Sequence, residues 1–120
     1  LGILPDMEAG GYGACGSYAL LTRGGGYSFF QPGFDGKYED LPVYKLRGAQ
    51  AFRGKPTCQG DLLVTCDRVE GDVTIADISN LSEPKLICRL QLSGSADCAF
   101  IGEQDVLIPA GYQGLFRLGW

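Results

Sequence analysis

The 120-residue sequence contains no histidine. That absence excludes a histidine general base, the Ser-His-Asp and Cys-His arrangements, and histidine-ligated zinc or haem within this chain. No apolar run approaches the ~18 residues that a membrane-spanning helix needs, and no basic stretch followed by an apolar one marks the start as a secretory signal. The ten basic residues are scattered, no two adjacent, against fourteen acidic ones, for a net charge of −4. Nucleic acid calls for a concentrated basic face, and an acidic surface is poorly matched to anionic lipid, so neither is an expected partner. The chain opens on Leu1 rather than Met; the expectation is that its natural N-terminus lies upstream.

Cysteine is present but oddly numbered, at Cys15, Cys58, Cys66, Cys88 and Cys98. Five thiols cannot all pair within one chain, and the CxxC spacing of thiolate zinc sites is missing. Cys88 and Cys98 lie in strand-like runs, Leu-Ile-Cys-Arg-Leu and Ala-Asp-Cys-Ala-Phe. The cysteines therefore read as buried free thiols acting as small hydrophobes. Unpaired thiols incline the compartment towards a reducing, cytoplasmic one. No metal or cofactor is expected.

Glycine and proline are abundant, 19 and 6, in a chain that is 45% hydrophobic and 20% charged. Such a composition belongs to a folded, turn-rich domain rather than a disordered segment. The turn formers punctuate an internal repeat. Three segments share one order of events: an apolar run, a short turn, then glycine and an alternating run. They are Tyr-Ala-Leu-Leu-Thr-Arg at 18–23 before Gly26, Asp-Leu-Leu-Val-Thr-Cys at 61–66 before Gly71, and Asp-Val-Leu-Ile-Pro-Ala at 105–110 before Gly114. The glycines lie 45 and 43 residues apart, and Leu20, Leu63 and Leu107 lie 43 and 44 apart. Pro42 and Pro84, each preceding an alternating run, suit the first residue of an edge strand.

Strands are expected at 16–22, 26–31, 42–47, 61–66, 72–78, 84–91, 96–101, 105–109 and 114–118, joined by tight turns. Runs such as Leu62-Leu63-Val64 are apolar on both faces, as in a strand enclosed between neighbouring sheets. A period near 43 with three or four strands per unit matches β-propeller blades. The expected fold is thus all-β: a propeller-like array of about three four-stranded antiparallel blades, part of a larger or oligomeric propeller. Its units are 12–54, 55–94 and 95–120, with 1–11 as a candidate closing strand that would complete the third unit.

The second unit adds a resemblance. Asp61-Leu-Leu-Val-Thr, then Gly71-Asp-Val-Thr-Ile-Ala-Asp-Ile-Ser-Asn-Leu-Ser-Glu-Pro-Lys-Leu-Ile, resembles the LVIVD-type repeat of bacterial β-propellers, with Asp77, Ile78, Ser79, Pro84, Lys85 and Leu86 at the characteristic positions. The match extends over 56–118 and weakens over 12–55, where Phe30-Gln31-Pro32 stands in place of Asp-Ile-Ser. The resemblance implies a non-catalytic propeller segment that binds a protein partner or self-associates to complete the ring. Two alternatives accompany it: an accessory C-terminal domain of a larger bacterial hydrolase such as a metallophosphoesterase, and a glycan-binding propeller.

The remaining chemistry is sparse. Asp35, Glu39 and Asp40, and Asp67, Glu70 and Asp72, form acidic loops without the ordered ligand spacing of a calcium site. Asp77 reads as a turn residue whose side-chain oxygens accept local backbone N–H groups. Gly24-Gly25-Gly26 reads as a hairpin turn, since the following Tyr-Ser-Phe-Phe-Gln is strand-like and no helix opens there. Aromatic residues crowd the first 44 positions; most suit packing between sheets. From them Phe34, Tyr38 and Tyr44 are the candidate ligand surface. No catalytic residue is assigned.

Overall fold

The computed structural model describes residues 9–48, 51–92 and 95–119. It is all-β, built as three antiparallel sheets that follow one another along the chain. The first holds β1 (Ala9–Cys15), β2 (Tyr18–Arg23) and β3 (Gly26–Phe30). The second holds β4 (Lys55–Gln59), β5 (Leu62–Cys66), β6 (Asp72–Asp77) and β7 (Lys85–Gln91). The third holds β8 (Phe100–Ile101), β9 (Asp105–Pro109) and β10 (Leu115–Gly119). Strand order equals sequence order in every sheet, and 3-10 turns at Tyr38–Asp40 and Gly111–Gln113 complete the described elements. Among the described residues the sheets do not close into a ring.

Two of these strands were not foreseen. β1, Ala-Gly-Gly-Tyr-Gly-Ala-Cys, and β4, Lys-Pro-Thr-Cys-Gln, lack apolar alternation and lie outside the expected strand spans. Their composition serves close approach instead. A Cβ on Gly11 would lie 2.8 Å from both the Gly54 carbonyl oxygen and Lys55 Cα, and one on Gly13 would collide with the Pro56 carbonyl. Glycine thus lets β1 lie backbone-against-backbone on β4. Pro56 is tolerated because β4 is an edge strand. The same approach brings Cys15 and Cys58 to a Cα–Cα distance of 5.0 Å, and they form a disulfide. Two of the five expected free thiols are therefore paired; Cys66 is buried and free, and Cys88 and Cys98 are free and half-buried. The inclination to a reducing compartment rested on unpaired cysteines and loses that ground.

The sheets are not uniformly four-stranded. The expected strand 42–47 makes a single antiparallel bridge, with Tyr44 and Tyr27 exchanging both backbone hydrogen bonds at 2.8 and 2.9 Å. Pro42 brings no N–H to extend the ladder, and Leu46 turns inward to pack in the core at 5% exposure. The third sheet has three strands. Of the candidate closing strand, residues 1–8 lie outside the described residues, and 9–11 belong to β1, which pairs with β2.

Two apolar layers separate the sheets. Leu20, Tyr27, Phe52, Leu63, Ala76 and Ile78 fill the first, between sheets one and two. Val64, Val73, Ile75, Val106, Ile108 and Ala110 lead the second, between sheets two and three. Leu63 and Val64 point into different layers, so the continuous apolar run in β5 serves a sheet covered on both faces, as expected.

Candidate interaction surface

Tight turns fix the relation of one sheet to the next. The first hairpin of sheet one turns at Gly16 and that of sheet two at Gly60, with φ of 58° and 60°. Superposing these turns aligns Leu20 with Val64 and Arg23 with Asp67, and the third sheet follows with Leu107 and Ala110. In that alignment Gly26 and Gly114 are equivalent, and their counterpart in sheet two is Asp72, one residue past Gly71. The leucine landmark slips by one: Leu20 and Leu63 face each other across the first layer rather than occupying equivalent positions. A one-residue slip reverses the face of a strand.

With that alignment the three sheets stack in one sense. Leu20 and Tyr27 of sheet one face sheet two; their counterparts Val64 and Val73 face sheet three. On the receiving side, Leu63 of sheet two faces sheet one, and its counterpart Val106 faces sheet two. The corresponding outward face of sheet three carries Phe100, Leu107 and Arg117, directly opposite one another in register, with Pro109 beside Leu115. Phe100 and Leu115 are 60% and 59% exposed. Arg117 Nε lies 2.7 Å from Asp105 Oδ2 on this face, an exposed pair of small energetic weight. The opposite end of the stack is the outer face of sheet one, where Tyr12, 50% exposed, stands opposite the buried Leu21 and near Ala14, Ala19 and Phe30, while Ser28 on the same face is covered by Pro42, whose carbonyl accepts its hydroxyl.

Of the candidate ligand residues, Phe34 and Tyr44 take different settings. Tyr44 packs into the first layer, its ring stacked on Phe29 with centroids 5.5 Å apart. Phe34 lies against Phe30 at 6.2 Å and lines an open groove of about 480 Å³ with Tyr18, Phe29 and Pro32. Tyr38 lies in the 3-10 turn, and its side chain is outside the described set. A glycan surface would therefore rest on Phe34 and its neighbours, without Tyr44. Sequence reasoning missed the sheet-three face because Phe100, Leu107 and Leu115 look like ordinary strand residues until the register puts them on one side.

The other sequence candidates take structural roles. Gly24-Gly25 is the two-residue turn between β2 and β3, with φ of 58° and 81°. Asp77 Oδ1 accepts the Ser79 N–H at 2.8 Å, and that bond, with Lys85 nearby, holds its carboxyl below the usual range. Asp72 pairs with Arg89 at 3.3 Å, and Asp67 Oδ1 accepts the Val69 N–H at 3.0 Å. Among the described residues no three metal-ligating side chains cluster, and no helix is long and apolar enough to cross a membrane.

Two buried groups titrate unusually. Burial, aided by Tyr44, pushes the Tyr27 phenol up to about 12; its hydroxyl donates to the Leu81 carbonyl across the first layer. Burial, then Cys98 and Asp97, pushes the Cys66 thiol up to about 12, which makes it a poor nucleophile.

No family model, curated protein or solved structure matches the chain.

Proposed function

We propose that the chain is a non-catalytic arc of a β-propeller that works as an interaction module, its three sheets being consecutive blades. The observation that carries this reading is the single sense of stacking. Each of the first two sheets offers equivalent positions to the next, and sheet three offers the same positions to solvent. Stacks of this kind are open-ended until a ring closes or a cap covers the last face. The LVIVD-like run from Asp61 to Ile87 and the period near 43 support the same reading.

The partner for the sheet-three face is the outer face of sheet one in a second copy. Two three-blade arcs joined head to tail at both ends would make a six-bladed ring, within the usual four to eight. Sedimentation equilibrium tests this: the 120-residue chain sediments as a dimer, and Leu115→Asp, which puts a charge on the exposed face without entering the core, sediments as a monomer. A stable, folded wild-type monomer would overturn the proposal.

A further inference from the structure

A second surface lies between the outer rims of sheets one and two, away from the terminal faces. Lys45-Leu46-Arg47 forms one bank and Ser82 to Leu86 the other, around a groove of about 530 Å³. Three cations, Lys45, Arg47 and Lys85, border it against one acid, Glu83. That local balance is opposite to the net −4 of the chain. None of the three cations is in an ion pair among the described residues, where the pairs formed are Arg68–Asp97, Arg89–Asp72 and Arg117–Asp105. Lys85 does sit across from Asp77, whose carboxylate is already held by the Ser79 N–H.

Both banks also offer backbone. β7 is the edge strand of sheet two, so alternate N–H and C=O groups along it have no partner strand among the described residues. Beyond the Tyr27–Tyr44 bridge, residues 45–47 make no backbone–backbone hydrogen bond among the described residues. Leu86, 38% exposed, gives an apolar site beside the charges. A free strand edge with alternating side-chain sites is the setting in which an extended peptide adds a strand: main-chain bonds hold it and side-chain pockets select it.

We infer that this groove is a docking site for an extended acidic peptide segment. The peptide lies along the start of β7, its carboxylates meeting Lys45, Arg47 and Lys85 and an apolar side chain resting on Leu86. Charge complementarity selects an acidic segment over a neutral or basic one and makes the affinity fall with salt.

Fluorescence anisotropy with a labelled octapeptide of alternating Glu and Val, acetylated and amidated, tests the site. The wild-type chain binds it saturably and more weakly as salt is raised. The triple variant Lys45→Ser, Arg47→Ser, Lys85→Ser loses at least tenfold in affinity while its thermal unfolding stays as in wild type, and Arg68→Ser binds normally. A Lys-Val octapeptide does not bind, and a Glu-Val peptide N-methylated at alternate residues binds at least tenfold more weakly. Absence of binding to the wild type, or equal binding by the triple variant, overturns the site. Equal binding of the N-methylated peptide, or complete displacement by millimolar inorganic phosphate, overturns the peptide as its occupant and leaves a simple anion in the groove.

Discussion

The two layers between the sheets obey one geometry and use different chemistry. The first is aromatic and cross-linked. Tyr27 meets Phe52 edge-on at 5.3 Å, Phe29 stacks on Tyr44, Thr22 Oγ1 donates to the Gly54 carbonyl at 2.7 Å, and the Cys15–Cys58 disulfide spans the gap. The second is aliphatic and thin-walled, with Ala96, Ala99 and Ala110 beside Val64, Ile75, Val106 and Ile108. Across it the ion pair Arg68–Asp97 is exposed and 3.8 Å apart, which adds little. At the position of Thr22 it has Cys66, whose thiol is a weaker donor than a hydroxyl. A repeat therefore fixes which face meets which, while each interface is free to choose how it is held.

That contrast can be broken from the first layer. Gly54 has φ of 85°, and a Cβ there would strike the Cys66 carbonyl. Gly54→Ala should cost more than about 4 kcal/mol, the range of steric mutations that the backbone cannot absorb, and denaturant unfolding should find it largely unfolded. In the second layer Ile108 is fully buried and no cross-link supports it. Ile108→Ala should cost roughly 2–5 kcal/mol, and hydrogen exchange should place the lost protection in β8–β10 before β1–β3. Replacing both Cys15 and Cys58 by Ser should cost roughly 2–4 kcal/mol, the usual effect of opening a loop of this size. The 43-residue separation makes that loss chiefly one of unfolded-state entropy in the simplest account. Equal protection of both layers in the Ile108 variant would deny that they differ in how they are held.

The smallest effect is a pH dependence with a defined order. Both raised groups favour the folded state while protonated, so their contribution is complete below the ordinary values, about 9 for Cys66 and about 10 for Tyr27. It is lost as pH climbs towards about 12. The second layer should therefore loosen first, from about pH 9, because Cys66 has the lower ordinary value. Cys66→Val should remove the earlier part of an alkaline stability profile and leave the part above pH 10 that belongs to Tyr27. A profile unchanged by that substitution would assign the loss elsewhere.

The sequence carried the strands that alternate or run continuously apolar, because burial on one or both faces imposes that pattern directly. β2, β3, β5, β6, β7, β9 and β10 all fall inside or within two residues of their expected spans. β1 and β4 were hidden because their residues were chosen for backbone proximity: glycine at 11 and 13, proline at 56. The disulfide was hidden with them, since only the contact of those two strands brings Cys15 to Cys58. The repeat period was legible only to within a residue or two, because Gly71 and Leu63 each stand one residue from the equivalent positions Asp72 and Val64, which in a strand is the difference between facing forward and facing back. Aromatic content alone does not separate Tyr44, packed against a core layer, from Phe34 in an open groove.

The most direct test of the stacking account mixes two variants, each altered at one end of the stack: Leu115→Asp on the outer face of sheet three and Tyr12→Asp on the outer face of sheet one. Head-to-tail association predicts that each alone sediments as a monomer and that the equimolar mixture forms a one-to-one heterodimer through the pair of faces left intact. A Tyr12→Asp chain that still dimerises alone, with no new species in the mixture, would show that like faces meet and would contradict the account.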